Sequence, residues 1–320
     1  MLSSKWAGLA LVVPLCVACG GESDEPSTPS ESALRAEECN PLGGTNCMTP
    51  WPSSLYAVDD DTTVTGRRLD IPMGALPTNI DGIVIDPVQF NSRDGFSAAA
   101  PMITAFPGGI DPSNLVGNDR YPDSLGPDSP TVLINMDTGE LVAHFAEIDV
   151  REPDEFDKQA LYMRPATRLE GSTRYAAAIK KTLKGREGND LEVPAGFQAI
   201  VNDKQTKHSR LEAIRPRYDE IFDALSAHGI DREDLVVAWD FTTASDDSMR
   251  RDLITARDLA LDMAGTNGAN LSYTVETSEV RADGFRKVVG TFSVPLMLTQ
   301  GGKFIPGTKL ERDGRGLPDI

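Results

Sequence analysis

The sequence predicts a mixed α and β fold: an immunoglobulin-like antiparallel β-sandwich followed by a helix-strand-helix segment and a β-hairpin. Three observations predict it. Between residues 101 and 197, short apolar and β-branched runs alternate with turn residues and show no helical period. After Asn202 the spacing changes, and Leu211, Ile214, Tyr218, Ile221, Phe222 and Leu225 fall on one face of a helix. Residues 235–245, Leu-Val-Val-Ala-Trp-Asp-Phe-Thr-Thr-Ala-Ser, then form a β-branched and aromatic run that reads as a buried strand entering a helix at a serine.

The amino terminus comes first in the chain. Lys5 supplies a positive charge, residues 7–13 an apolar run too short to span a bilayer, and small residues lead to Cys19. Residues 1–19 therefore read as a secretion signal. Leu15-Cys16-Val17-Ala18-Cys19 resembles the bacterial lipoprotein signal, which implies lipidation of Cys19, although Cys16 stands where that motif usually has leucine. The alternative is an ordinary secretory signal cleaved nearby. Residues 20–37 hold too few large apolar groups to offset their ordering entropy and read as a tether. The implied location is exported and lipid-anchored to the outer membrane or cell surface, with a secreted soluble form as the alternative.

Residues 38–198 are expected to hold a disulfide-stapled loop region and the sandwich. With Cys16 and Cys19 assigned to the signal, Cys39 and Cys47 remain, too few for a four-ligand zinc site. In an exported chain they read as a local disulfide. Residues 49–93 are rich in proline and glycine, with short edge segments at 69–71 and 83–85. Asp59-Asp60-Asp61 lacks the alternating donors, glycine and closing glutamate of a calcium loop and reads as a solvated turn. Strands are expected at 102–106, 131–135, 141–148, 160–164 and 173–180, with Met136-Asp137-Thr138-Gly139 as a hairpin turn between the second and third.

Residues 199–320 carry the helix-strand-helix segment and hairpin. The first helix should stop at Gly229 and kink or restart at Pro216. A second helix runs from Asp246 to about Ala264, with Met249, Leu253, Ala256 and Ala260 on one face. Residues 272–280 and 285–298 pair around Asp283-Gly284.

Charge and motif content narrow the chemistry. Lys+Arg 31 against Asp+Glu 49 gives a net charge of -18, which disfavours nucleic acid as a partner. There is no Gly-x-Ser-x-Gly, no His-Glu-x-x-His, no phosphate loop and no dinucleotide fingerprint, so no cofactor, metal or complete active site is assigned. His144 interrupts a strand, His208 precedes a helix and His228 ends one, and each reads as structural or solvated. Asp240 with Asp246 or Asp247 could do acid-base work, but the last two better suit a helix N-terminus. Ser245, followed by those two acids and preceded by no glycine, reads as a helix N-cap.

An ordered set of segments carries a resemblance. Cys39-Asn40-Pro41-Leu42, Trp51-Pro52-Ser53-Ser54-Leu55-Tyr56, residues 62–68, Asp94-Gly95-Phe96-Ser97, Thr173-Arg174-Tyr175 and Ala238-Trp239-Asp240-Phe241 follow one another along the chain. Together they resemble the N-terminal region of bacterial virulence-factor-type extracellular lipases and related myxobacterial α/β-hydrolase-like lipoproteins. The resemblance implies a non-catalytic region ahead of a hydrolase domain that holds the catalytic serine, aspartate and histidine. No catalytic residue carries over, because the chain is expected to stop before that domain. The expected function is a secreted, lipid-anchored accessory region with two partners, a membrane through its anchor and a downstream hydrolase domain or envelope partner. The alternatives are a structural or adhesive surface lipoprotein that binds a polymer or protein, and an atypical serine hydrolase using Ser245 or Ser97 with His144.

Overall fold

Short β-branched segments cannot bury their faces alone, and in the computed structural model they assemble into several antiparallel sheets with helices packed around them. The structure describes residues 34–151, 154–303, 305 and 307–319. Cys19, the signal and most of the expected tether therefore lie outside the described residues.

The elements follow in chain order. Strand β1 (Ala57–Asp59) pairs with β2 (Arg67–Leu69) in a small ribbon. Six further strands are β3 (Met102–Thr104), β4 (Thr131–Asn135), β5 (His144–Ile148), β6 (Leu161–Pro165), β7 (Arg174–Lys180) and β8 (Leu235–Thr242). They form two three-stranded antiparallel sheets, β3-β6-β5 and β4-β7-β8. Between β7 and β8 lie α1 (Ala195–Val201), α2 (Ser209–Ile214) and α3 (Tyr218–Ser226). After β8 come α4 (Asp246–Ala264) and the hairpin β9 (Tyr273–Val280) with β10 (Arg286–Phe292). The fold is thus mixed and rich in antiparallel sheet.

The core sits on β7 and β8. Every residue of β7 after Arg174 is buried, and its Ala176-Ala177-Ala178 run leaves room for large neighbours. Trp239 lies opposite Ala177, and Phe241, opposite Tyr175, stacks on that ring at 5.9 Å between centroids. Phe197, Tyr218 and Phe222 bring α1 and α3 onto the same core. One contiguous cluster runs from Leu42 to Phe241 and includes residues of both three-stranded sheets.

Several expectations are corrected. A boundary at 198/199 would cut through a sheet, because β8 is hydrogen-bonded to β7 along its length. Packed structure starts earlier than residue 38: the Arg35 guanidinium donates to the Gly44 and Asn46 carbonyls, and Glu37 accepts from Ser209 N and Oγ. The turn at 136–139 forms, with Asn135 Oδ1 accepting from Asp137 N at 2.9 Å, but the hairpin it starts ends at once. Leu141 bridges Ile134, and the chain then crosses to the other sheet at His144, since β4 has β7 on its long edge. The helical run 211–225 breaks at Pro216, as expected, into α2 and α3, joined by a 3-10 turn over Arg215–Arg217, because proline has no N–H to continue the ladder. The strand expected at 285–298 stops at Phe292, and 83–85 provides only a bridge from Val84 to Thr78.

Candidate functional site

The groups able to do chemistry are mostly committed to structure. His144 is fully buried, with Nε2 2.9 Å from Thr131 Oγ1 and Nδ1 2.9 Å from the Val142 carbonyl. Burial pushes its pKa below the ordinary value, against the opposing effect of those two bonds, so the imidazole is neutral. His208, 3% exposed, caps α2: its Nδ1 accepts from Leu211 N at 3.2 Å and its Nε2 faces the Cys39 carbonyl at 3.2 Å. His228 Nε2 donates to the Gly139 carbonyl at 2.8 Å. The three histidines lie on different elements, and none has Ser97 or Ser245 as a hydrogen-bond partner.

Ser245 begins α4. Its Oγ accepts from Ser248 N at 3.1 Å, and its own N–H donates to Asp94 Oδ1 at 3.0 Å. Asp94 belongs to a seam that fastens residues 93–96 to the end of β8. Phe96 N donates to the Thr242 carbonyl at 2.9 Å and Ala244 N to the Phe96 carbonyl at 2.7 Å. Gly95 is required there, since a Cβ would stand 2.7 Å from Thr242 O and Ala244 N. The Arg93 guanidinium completes the seam by donating to the Ser248 carbonyl and to Asp252. Cys39 and Cys47 form the disulfide, which closes the loop beneath Tyr56, whose hydroxyl donates to the Cys47 carbonyl at 3.1 Å.

Asp240 is paired with arginines, not with Asp246 or Asp247. It is 2% exposed, and its Oδ2 accepts from Arg174 Nε at 2.6 Å and from Arg217 Nε at 2.8 Å. Arg174 also pairs with Glu220. Burial lowers the affinity of the Arg174 guanidinium for its proton, yet the charges and hydrogen bonds of Asp240 and Glu220 together outweigh it and the net shift is upward. Asp246 is engaged outward with Arg168 at 2.5 Å. The cluster joins β7, β8 and the turn before α3, and the sequence reading missed it. A charged residue inside Val-Val-Ala-Trp-Asp-Phe was the available signal, because a buried strand keeps a carboxylate only when it is paired.

Beyond Ser248 the packing changes. Helix α4 has the predicted bounds, but Ser248 is its one buried residue, and Leu253, on the face it shares with Met249, Ala256 and Ala260, is 73% exposed. All residues of β9 and β10 are exposed, on both faces of the hairpin. Tyr273, Phe285, Phe292, Val294 and Leu296 add to that apolar surface. The segment is tied back by ions: Arg312 makes a bidentate pair with Asp252 at 3.1 and 2.8 Å, and Lys309 reaches Asp86 at 2.9 Å. The bond from Arg312 holds the Asp252 carboxyl below the usual range. Exposed apolar side chains are thus concentrated in α4, the hairpin and the residues just after it.

Among the described residues there is no group of three or more His, Cys, Asp and Glu arranged to hold a metal, and no helix is long and apolar enough to cross a membrane. Neither a family model, nor a curated protein, nor a solved structure matches the chain.

Proposed function

We propose that this chain is the secreted, lipid-anchored, non-catalytic N-terminal region of a lipase- or esterase-like α/β-hydrolase. The observation that carries the reading is the uncovered apolar surface of α4, β9 and β10, set beside a core that is complete without it. A two-stranded hairpin exposed on both faces is marginal in water and gains its stability from further strands or a packed partner. A hydrolase domain continuing from the hairpin supplies both. The ordered segments that resemble lipase N-terminal regions lie ahead of α4, and their Asp94-Gly95-Phe96 piece is bonded to Thr242, Ala244 and Ser245, directly after Trp239-Asp240-Phe241.

In this reading the two three-stranded sheets are the leaves of an immunoglobulin-like sandwich. The chain passes between them at β3–β4, β4–β5 and β6–β7, and the shared core supports that reading. Cys19 carries the lipid, and the sandwich stands between the membrane and the hydrolase domain.

Two measurements test this. DNA sequence following the codon for Ile320 is expected to encode a Gly-x-Ser-x-Gly segment in a hydrolase-like frame, and unrelated sequence there overturns the proposal. The purified chain is expected to leave p-nitrophenyl butyrate intact; turnover abolished by a single substitution at Ser245 or Ser97 overturns the non-catalytic role.

A further inference from the structure

A cavity of about 730 Å³ opens at the far end of the β4-β7-β8 sheet, between the loop around Pro127, the end of β7 and the turn at 228–230. Its size suits a small organic ligand. The register of β7 against β8 shifts between Ile179 and Lys180, so that Lys180 faces Leu235 and Val236 is passed over. The bulge lies on β8 opposite Lys180, which lines the cavity.

Lys180 is 8% exposed, and its Nζ donates to the Pro127 carbonyl at 2.5 Å. An ammonium has three protons to donate, and among the described residues no carboxylate forms an ion pair with this one. The carboxylates that act on it from further off, Asp128 and Asp234, are both exposed. Burial accordingly lowers its pKa. A nearly buried cation whose only counter-charges are exposed and not in contact with it is costly, and the molecule keeps it at the edge of an open cavity.

The rest of the lining has two characters. Leu125, Val132, Leu141 and Ile230 form an aliphatic wall. Lys181 and Lys184 join Lys180 in the lining against one carboxylate, the exposed Asp234, so cations outnumber anions there in a chain with net charge -18. Lys184 is engaged with Asp190 at 2.6 Å, leaving Lys180 and Lys181 as the cations without an ion pair. No arginine is among the lining residues, so the planar fork that favours phosphate is missing and point-charge contact with a single carboxylate fits better.

We propose that this cavity binds an aliphatic monocarboxylate, its carboxylate on the Lys180 ammonium with Lys181 at the mouth, and its chain along Leu125, Val132, Leu141 and Ile230. The site is independent of the hydrolase reading and lies away from the α4–hairpin surface.

Isothermal titration of the full chain with octanoate, octanol and acetate tests it. Octanoate is expected to bind saturably at one per chain. Octanol, which keeps the tail, and acetate, which keeps the head, are each expected to bind at least about tenfold more weakly, as loss of one charge-assisted contact or of the buried tail implies. Lys180→Met is expected to weaken octanoate by a similar factor and leave octanol unchanged. Absence of saturable octanoate binding, or equal affinity for octanol, overturns the proposal on the unaltered chain alone. Equal octanoate affinity in Lys180→Met also overturns it, because the carboxylate then does not rest on that ammonium.

Discussion

Replacing Asp240 by asparagine removes one negative charge from a site where two guanidiniums converge. Asp240 is 2% exposed, and the side chains of Arg174 and Arg217 are 17% and 21% exposed, so neither arginine recovers full hydration when its partner is neutralised. Breaking a buried pair from one side costs roughly 3–5 kcal/mol, because the charge left behind is uncompensated. Arg174 retains Glu220 and both arginines reach some water, which places Asp240→Asn at the lower end, about 3 kcal/mol. The assay is urea unfolding followed by tryptophan fluorescence, reading the midpoint at constant slope. Trp239 lies next to Asp240 on β8, so with Trp51→Phe as the background the signal is weighted toward the site. A loss below about 1 kcal/mol would refute the view that the cluster joins β7, β8 and the turn before α3. A triple variant, Asp240→Leu with Arg174→Met and Arg217→Leu, is expected to regain most of the loss, since matched apolar replacement of a buried ion cluster is close to neutral.

The other predictions rest on separate features. Ser245→Ala removes the acceptor for Ser248 N and is expected to lower stability by about 1 kcal/mol, seen as a shift in urea midpoint. Gly95→Ala drives a Cβ against the backbone of Thr242 and Ala244, which cannot move aside, and is expected to cost about 3 kcal/mol or prevent soluble expression; wild-type stability would show that the seam is loose. Acid lowers stability in two stages. His144 is neutral in the folded chain and has its pKa depressed by burial, so its contribution is complete above the ordinary value of 6.5 and is lost as pH falls toward the folded value; His144→Gln flattens that limb of the midpoint-against-pH curve. Glu212, bonded to Arg215 and Thr206, is drawn from 4.5 down to about 2, so its contribution persists above 4.5 and disappears between those values, worth on the order of 1 kcal/mol after solvent screening; Glu212→Gln removes that lower stage. Phe285→Asp with Phe292→Asp is expected to leave the urea midpoint within about 0.5 kcal/mol and to reduce binding of an apolar dye; an unfolded product would mean that the hairpin is packed in this chain.

Much of the local structure was legible in residue type and spacing. The Asp246–Ala264 helix, the hairpin about Gly284 and the strand from Leu235 were set by capping chemistry, turn glycine and β-branching, which act over a few residues. Long-range pairing was not. Nothing near His144 shows that it leaves β4 for another sheet, because the deciding partner, Pro165 in β6, lies elsewhere in the chain. The apolar period of α4 marked a shared face, and that face is uncovered at Met249 and Leu253, since periodicity shows which face is apolar and is silent about what covers it. Asp240 could have been questioned from its apolar neighbours, whereas Arg174 and Arg217 as its partners required the sheet register and the approach of α3. The Lys180 cavity depended on a bulge, which has no simple sequence signature here.

The seam between residues 93–96 and the start of α4 also bears on the order in which the molecule can be assembled. Its donors and acceptors are about 150 residues apart along the chain, as Arg93 with Ser248 and Asp94 with Ser245 show by separations of 155 and 151. A polypeptide emerging from its amino terminus at roughly 5–20 residues per second presents Arg93 and Asp94 about 8–30 seconds before their partners exist. The disulfide loop is similarly early, and its neighbours Pro41 and Cys39 wait for Gly196 and His208. Completion of this part of the fold is therefore timed by the arrival of β8 and α4, and the front third of the chain spends that interval as a client for whatever holds unfolded segments apart.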